Sequence, residues 1–161
     1  MSKMVERFVD KGETIYSMTD EILVECPRCK LCASITPTPS EPPYSGMPVF
    51  APRRLLCVHC GIVKQWVGNS YSLDSHSSPV LESYFDQPLW LQTSCGAHTL
   101  WAYNRRHLIL IEQYVRAHIR QKDPECAWIN RSLISHLPEW LIVASNRAPV
   151  LKAVDKLNRK R

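Results

Sequence analysis

The sequence predicts an α+β fold: a β-rich first half, residues 1–103, and an α-helical second half, residues 104–161, packing on its sheet. Three observations carry this. Short apolar runs of strand length crowd residues 14–103. Two Cys-x-x-Cys turns, Cys26-Pro27-Arg28-Cys29 and Cys57-Val58-His59-Cys60, punctuate those runs. From Asn104 onward the apolar spacing changes to that of a helix, with a residue suited to N-capping at the change itself.

In order along the chain, residues 1–13 are polar, and Met4, Val5, Phe8 and Val9 fit a short amphipathic turn that Gly12 stops. Residues 14–17 are β-prone, and residues 21–25 form a strand that runs into the first cysteine turn. Residues 31–36 return from it. Residues 37–52 hold six prolines, which predicts an extended insertion loop with no strand ladder of its own. Residues 53–56 enter the second cysteine turn, residues 62–67 leave it, and Gly68-Asn69 marks a further turn. The Ser-rich stretch 70–88 receives no assignment. Residues 89–93 and 99–103 read as an aromatic-rich hairpin that extends the sheet.

Asn104 is expected to cap a helix reaching to about residue 121, since Leu108, Ile111, Val115 and Ile119 fall on one stripe with Leu110 and Tyr114 beside it. Lys122-Asp123-Pro124 ends that pattern. A second helical segment spans 133–144, and Ser145-Asn146 is expected to cap a last helix over 147–160, buried through Val150, Leu151, Val154 and Leu157.

The chemistry of the chain concentrates in Cys26, Cys29, Cys57 and Cys60. Two facing Cys-x-x-Cys turns offer four thiolates at tetrahedral corners, the arrangement of a structural Zn2+ site. Four thiolates leave no open coordination position, so one structural zinc is expected to hold the fold and not to activate water. A redox pair would need its Cys-x-x-Cys at a helix start after a buried strand, whereas both pairs here lie between strand-like runs. Seven cysteines without an export signal favour reduced thiols and a cytoplasmic location. Cys29-Lys30-Leu31-Cys32 is a third Cys-x-x-Cys, but Cys32 is expected as a small buried residue. His59 is expected to point away from the metal. Cys95 and His98 could form a second metal site with Cys126 or His107, but no partner pair is evident in the sequence, and a hairpin turn with a buried cysteine is the simpler expectation.

Catalysis finds little support. The five glycines do not cluster into a phosphate loop, and no GxSxG, HExxH or deaminase His-x-Glu is present. The six histidines are single, and His107 and His118 read as polar-face or capping residues. No apolar run reaches the ~18 residues of a membrane span. The net charge of +5 is local: residues 1–146 carry 14 basic and 14 acidic side chains, while residues 147–161 carry six basic residues and Asp155. A basic helix end also complements the macrodipole.

The CPxC and CxxCG turns of residues 26–61 resemble zinc ribbons of the general transcription factor IIB type. Lys30 departs from the pattern, standing where such turns usually carry Gly. The stretch from Pro88 through Asn104 and the following helix resembles small uncharacterised bacterial zinc-ribbon proteins. The expected role is a non-enzymatic zinc protein that binds a protein partner, as an immunity protein of a toxin or an assembly adaptor, with no small-molecule substrate. Tyr44, Met47, Phe50, Arg53, Arg54, Trp90 and Trp101 are the candidate contacts. The alternative is nucleic-acid binding through Arg28, Lys30, Arg53, Arg54 and Lys64 near the cysteines and Lys156, Arg159, Lys160 and Arg161 at the C-terminus.

Overall fold

A computed structural model describes residues 5–68, 79–126 and 131–161. The fold is mixed α/β, with an antiparallel sheet of four strands in the first half and helices in the C-terminal half. After β1 (Arg7–Asp10) and a single helical turn α1 (Ile15–Met18), the sheet is built from β2 (Ile22–Glu25), β3 (Cys32–Pro37), β4 (Arg53–Leu56) and β5 (Val63–Trp66), adjacent in chain order. Alternation decides its inner face: Ile22, Val24, Ala33, Ile35 and Leu55 are buried, and each large side chain among them stabilises the fold by roughly 2 kcal/mol. Strand β5 is different, since Val63, Lys64 and Gln65 are all exposed.

The proline-rich excursion between β3 and β4 is tied to the body. Thr38 N–H donates to Pro52 O (2.7 Å) across its neck, and Val49, in a 3-10 turn Pro48–Phe50, is buried beneath it. The Tyr84 hydroxyl donates to Val49 O (2.8 Å).

Strands β6 (Leu91–Cys95) and β7 (His98–Ala102) form the expected hairpin, but as a ribbon of their own. Its flanks meet the four-stranded sheet at the edge strand β2, where Leu23 N–H donates to Tyr103 O (2.8 Å) and Trp90 N–H to Leu23 O (2.9 Å). Past that corner the hairpin turns its apolar face, Leu91, Leu100 and Ala102, onto Leu108, Ile111 and Val115 of α2 (Arg105–Arg116). Val150, Val154 and Leu157 of the last helix, Arg147–Asn158, close this core from the other side.

Helix α2 starts where Asn104 predicts. Asn104 Oδ1 accepts the His107 N–H (3.0 Å), and the same side chain donates to Met18 O (2.6 Å) and Glu21 O (2.8 Å), stitching the helix start to the sheet. The helix stops at Arg116, short of the expected residue 121. Ile119 does continue the stripe, yet Ile119–Lys122 is a strand, β8, pairing in parallel with β1. The competing hydrogen bonds come from β1, which also replaces the amphipathic turn expected over Val5–Val9; Met4 lies outside the described residues. Residues 14–17, read as β-prone, instead enter α1, with Thr14 N–H donating to Ser17 Oγ (3.1 Å).

The helical stretch expected over 133–144 is broken into a 3-10 turn, Ile134–His136, and one turn of α3 (Glu139–Ile142). Pro138 between them has no N–H to continue a ladder. The last helix, now α4 (Arg147–Asn158), forms as expected; Asn146 precedes it, but its side chain donates to Trp140 O (2.7 Å) instead of capping. The turn expected at Gly68-Asn69 lies partly outside the described residues, as do His76 and most of the unassigned stretch 70–88. The described end of that stretch is ordered by Glu82, a buried carboxylate that accepts the N–H groups of Tyr84 (2.7 Å), Phe85 (3.1 Å) and Gln87 (3.0 Å).

Candidate metal centre

Each cysteine turn caps a strand pair, and the two share one backbone pattern. In the first, Cys26 N–H donates to Leu31 O (2.8 Å) and Lys30 N–H to Cys26 O (3.0 Å). In the second, Cys57 N–H donates to Ile62 O (3.1 Å) and Gly61 N–H to Cys57 O (2.9 Å). Both end on a left-handed residue, Lys30 at φ 65° and Gly61 at φ 72°. Lys30 therefore keeps the geometry that a glycine adopts freely, at a cost of about 1 kcal/mol. Its ammonium group lies 3.6 Å from the Glu25 carboxylate on the surface.

Registers β2–β3 and β4–β5 bring the turns together, because β3 and β4 are neighbours. The four sulfurs all lie within 4.8 Å of one another. Cys26 Sγ is 3.6 Å from Cys60 Sγ, and Cys29 Sγ is 3.5 Å from Cys57 Sγ. Both separations are far longer than the ~2.05 Å of a disulfide. They are close to the edge of about 3.8 Å for a tetrahedron whose metal–sulfur bonds are about 2.3 Å. The residues thus fit a metal ion held by four sulfurs.

Electrostatics points the same way. Burial pushes the Cys26 thiol up, but the N–H groups of Cys29 and Arg28, with the Cys60 and Cys57 sulfurs, outweigh it and bring it down to about 6. At Cys29 a backbone hydrogen bond from Leu31 acts to lower the thiol, while burial and the three other sulfurs carry it up to about 12. Four thiolates would repel one another in so small a space, and a bound dication would offset that repulsion.

Among the described residues these cysteines are the one cluster that could hold a metal. Cys32 stands outside it, half-buried at the start of β3, its thiol pushed up to about 11 by burial. His59 is exposed on the second turn. Cys95 is buried under α4, whereas His98 stacks flat on Trp140 with ring centroids 4.6 Å apart. His107 is not on a polar face. It is buried, its Nδ1 accepts the Tyr103 N–H (3.2 Å), and burial lowers its pKa to about 4.

The candidate partner contacts divide. Tyr44 and Met47 are exposed on the proline loop, and Phe50 and Arg54 are half-buried. Arg53 is turned inward and only 1% exposed; its guanidinium donates to Thr19 O and to Pro48 O (3.3 Å) and lies 4.8 Å over the Tyr84 ring. Trp90 is buried as well, under the Lys160 ammonium 4.2 Å above its ring, and Trp101 packs edge-on against Tyr103 and His107. Neither Arg53 nor Trp90 is thus offered to a partner. Of the basic candidates, Arg28, Lys30, Lys64, Lys156, Arg159 and Arg161 are exposed, while Lys160 donates to Trp90 O (2.7 Å).

One surface was missed from the sequence. Leu31 and Val58 on the cysteine turns, with Val63 and Val67 along and just past β5, are all exposed, Val58 to 80% and Val67 to 83%. The signal for Val58 was present, since it is an apolar residue inside the second Cys-x-x-Cys turn itself. No helix among the described residues is long and apolar enough to cross a membrane. In comparison with known proteins, the chain matches no family model, no curated protein and no solved structure.

Proposed function

We propose that this chain is a non-catalytic zinc-ribbon protein, in which one structural Zn2+ on Cys26, Cys29, Cys57 and Cys60 holds a surface that binds a protein partner. Four sulfur ligands close the coordination sphere, which suits a structural ion and leaves no position for substrate. The observation that carries the partner reading is the apolar rim of Leu31, Val58, Val63 and Val67. It borders β5, an end strand of the sheet whose outer side faces no other strand among the described residues. An extended segment of a partner added there would gain main-chain hydrogen bonds and cover the valines. Tyr44 and Met47 supply further exposed apolar area. A toxin neutralised by this chain, or a subunit it helps to assemble, is the kind of partner such a surface serves.

Affinity capture from cells of its source tests this directly. The wild-type chain is expected to retain one protein in stoichiometric amount, and the Val58→Asp/Val63→Asp variant is expected to lose it while staying folded. No stoichiometric protein on the wild-type chain contradicts the reading. The nucleic-acid alternative is favoured by the exposure of Arg28 and Lys64 beside the cysteine turns. It predicts a gel shift that fades steeply as salt rises.

A further inference from the structure

The C-terminal basic residues do not form one solvated tail. Lys160 is held against Trp90, whereas Lys152, Lys156 and Arg159 recur at i, i+4 and i+7 and line one side of a groove of about 640 Å³. The opposite side is the β6–β7 turn, with Ser94 and Gly96 at its lip. Gly96 sits at φ 60°, and a Cβ placed there would meet no heavy atom within 4 Å, so the mouth is open. Cys95, Ala153 and Pro149 give the groove an apolar floor and end. Burial pushes the Cys95 thiol up, which keeps that floor uncharged near neutral pH.

Three cations face one carboxylate, Asp155, in this groove, and no ion pair among the described residues engages any of the three. The helix macrodipole accounts for basic residues in a last turn only. Lys152 lies mid-helix, more than a turn before Asn158, and is not explained that way. The excess of cations over carboxylate matches a phosphate monoester, which carries nearly two negative charges at neutral pH. The volume falls within the roughly 300–1,000 Å³ of small-molecule sites and exceeds what an inorganic phosphate fills.

We propose that this groove binds a small organic phosphate, its phosphoryl group on Lys152, Lys156 and Arg159 and its organic part against Pro149, Ala153 and Cys95. The site shares no residue with the partner surface on β5 and adds a ligand class that the sequence motifs did not indicate. Isothermal titration calorimetry on the full, zinc-loaded chain at low salt tests it, with adenosine 5′-monophosphate, ribose 5-phosphate and adenosine as probes. The two phosphates are expected to bind and adenosine to bind far more weakly. Lys152→Ala/Lys156→Ala is expected to weaken phosphate binding by about tenfold or more, with an unchanged melting temperature because both side chains are exposed. Arg159→Ala, one turn on, is expected to act in the same direction. Absence of binding by both phosphates overturns the proposal, and so does binding that these substitutions leave intact. A duplex oligonucleotide that binds through the same lysines while the monophosphates do not also overturns it, in favour of a nucleic-acid surface.

Discussion

The four-stranded sheet and the helical half bury their apolar side chains in opposite ways. In the sheet, burial is complete at Ile22, Ile35 and Leu55 and reaches the cysteine turns through Cys26 and Cys57, while Leu31, Val58 and Val63 beside them stand in solvent. Between the β6–β7 hairpin and the helices, burial is continuous from Leu91 and Leu100 through Leu108 and Ile111 to Val154 and Leu157. A two-sided apolar core closes by itself. At the cysteine end of the sheet the buried side chains are Cys26 and Cys57, and a metal ion on the four sulfurs would supply the cross-link that larger apolar side chains supply elsewhere. The recognition surface proposed here lies at that cysteine end, where Leu31, Val58 and Val63 are exposed.

The strongest way to break this comparison is to remove the metal. Structural zinc contributes on the order of 10 kcal/mol in small modules, so a high-affinity chelator should strip amide protection from residues 26–62 while the amides of α2 stay protected in hydrogen exchange. Loss of protection in α2 to the same extent would show that the two halves are not held separately. On the other side, Leu108→Ala should cost about 3 kcal/mol in denaturant unfolding and leave the metal stoichiometry unchanged.

His107 provides a pH test confined to the joint between the halves. Its folded pKa, about 4, lies below the unfolded value, so unfolding takes up a proton between roughly pH 6.5 and 4. The stability it leaves intact above pH 6.5 is lost as pH falls toward 4, by up to about 3 kcal/mol. Thermal melts of His107→Gln should therefore slope less with pH than those of the wild type. Parallel slopes would contradict a neutral, buried imidazole. The smallest expected effect is Lys30→Gly, which relieves a left-handed residue and should raise stability by roughly 0.5–1 kcal/mol, measured in the metal-bound state.

Local rules made much of this molecule legible. The Cys-x-x-Cys spacing marked the four clustered cysteines, the apolar run into the first turn and the return from it marked β2 and β3, and Asn104 marked the start of α2. What stayed hidden was decided by distant partners. Ile119 fits the helical stripe after Val115, and nothing nearby shows that β1, more than a hundred residues earlier, claims its backbone. Arg53 and Trp90 looked like surface anchors by residue type. Yet Arg53 shares an inward face with Leu55 two residues on, and Trp90 is covered by Lys160 from the far end of the chain. The phosphate groove was invisible for the same reason, since Cys95 and Lys152 meet only when α4 folds back on the hairpin.

The metal content of the chain purified without chelator tests the four-cysteine site most directly. Elemental analysis is expected to find one zinc per chain in the wild type and none in Cys57→Ser. A wild-type chain free of zinc, or a Cys57→Ser chain that keeps it in full, would contradict the central claim.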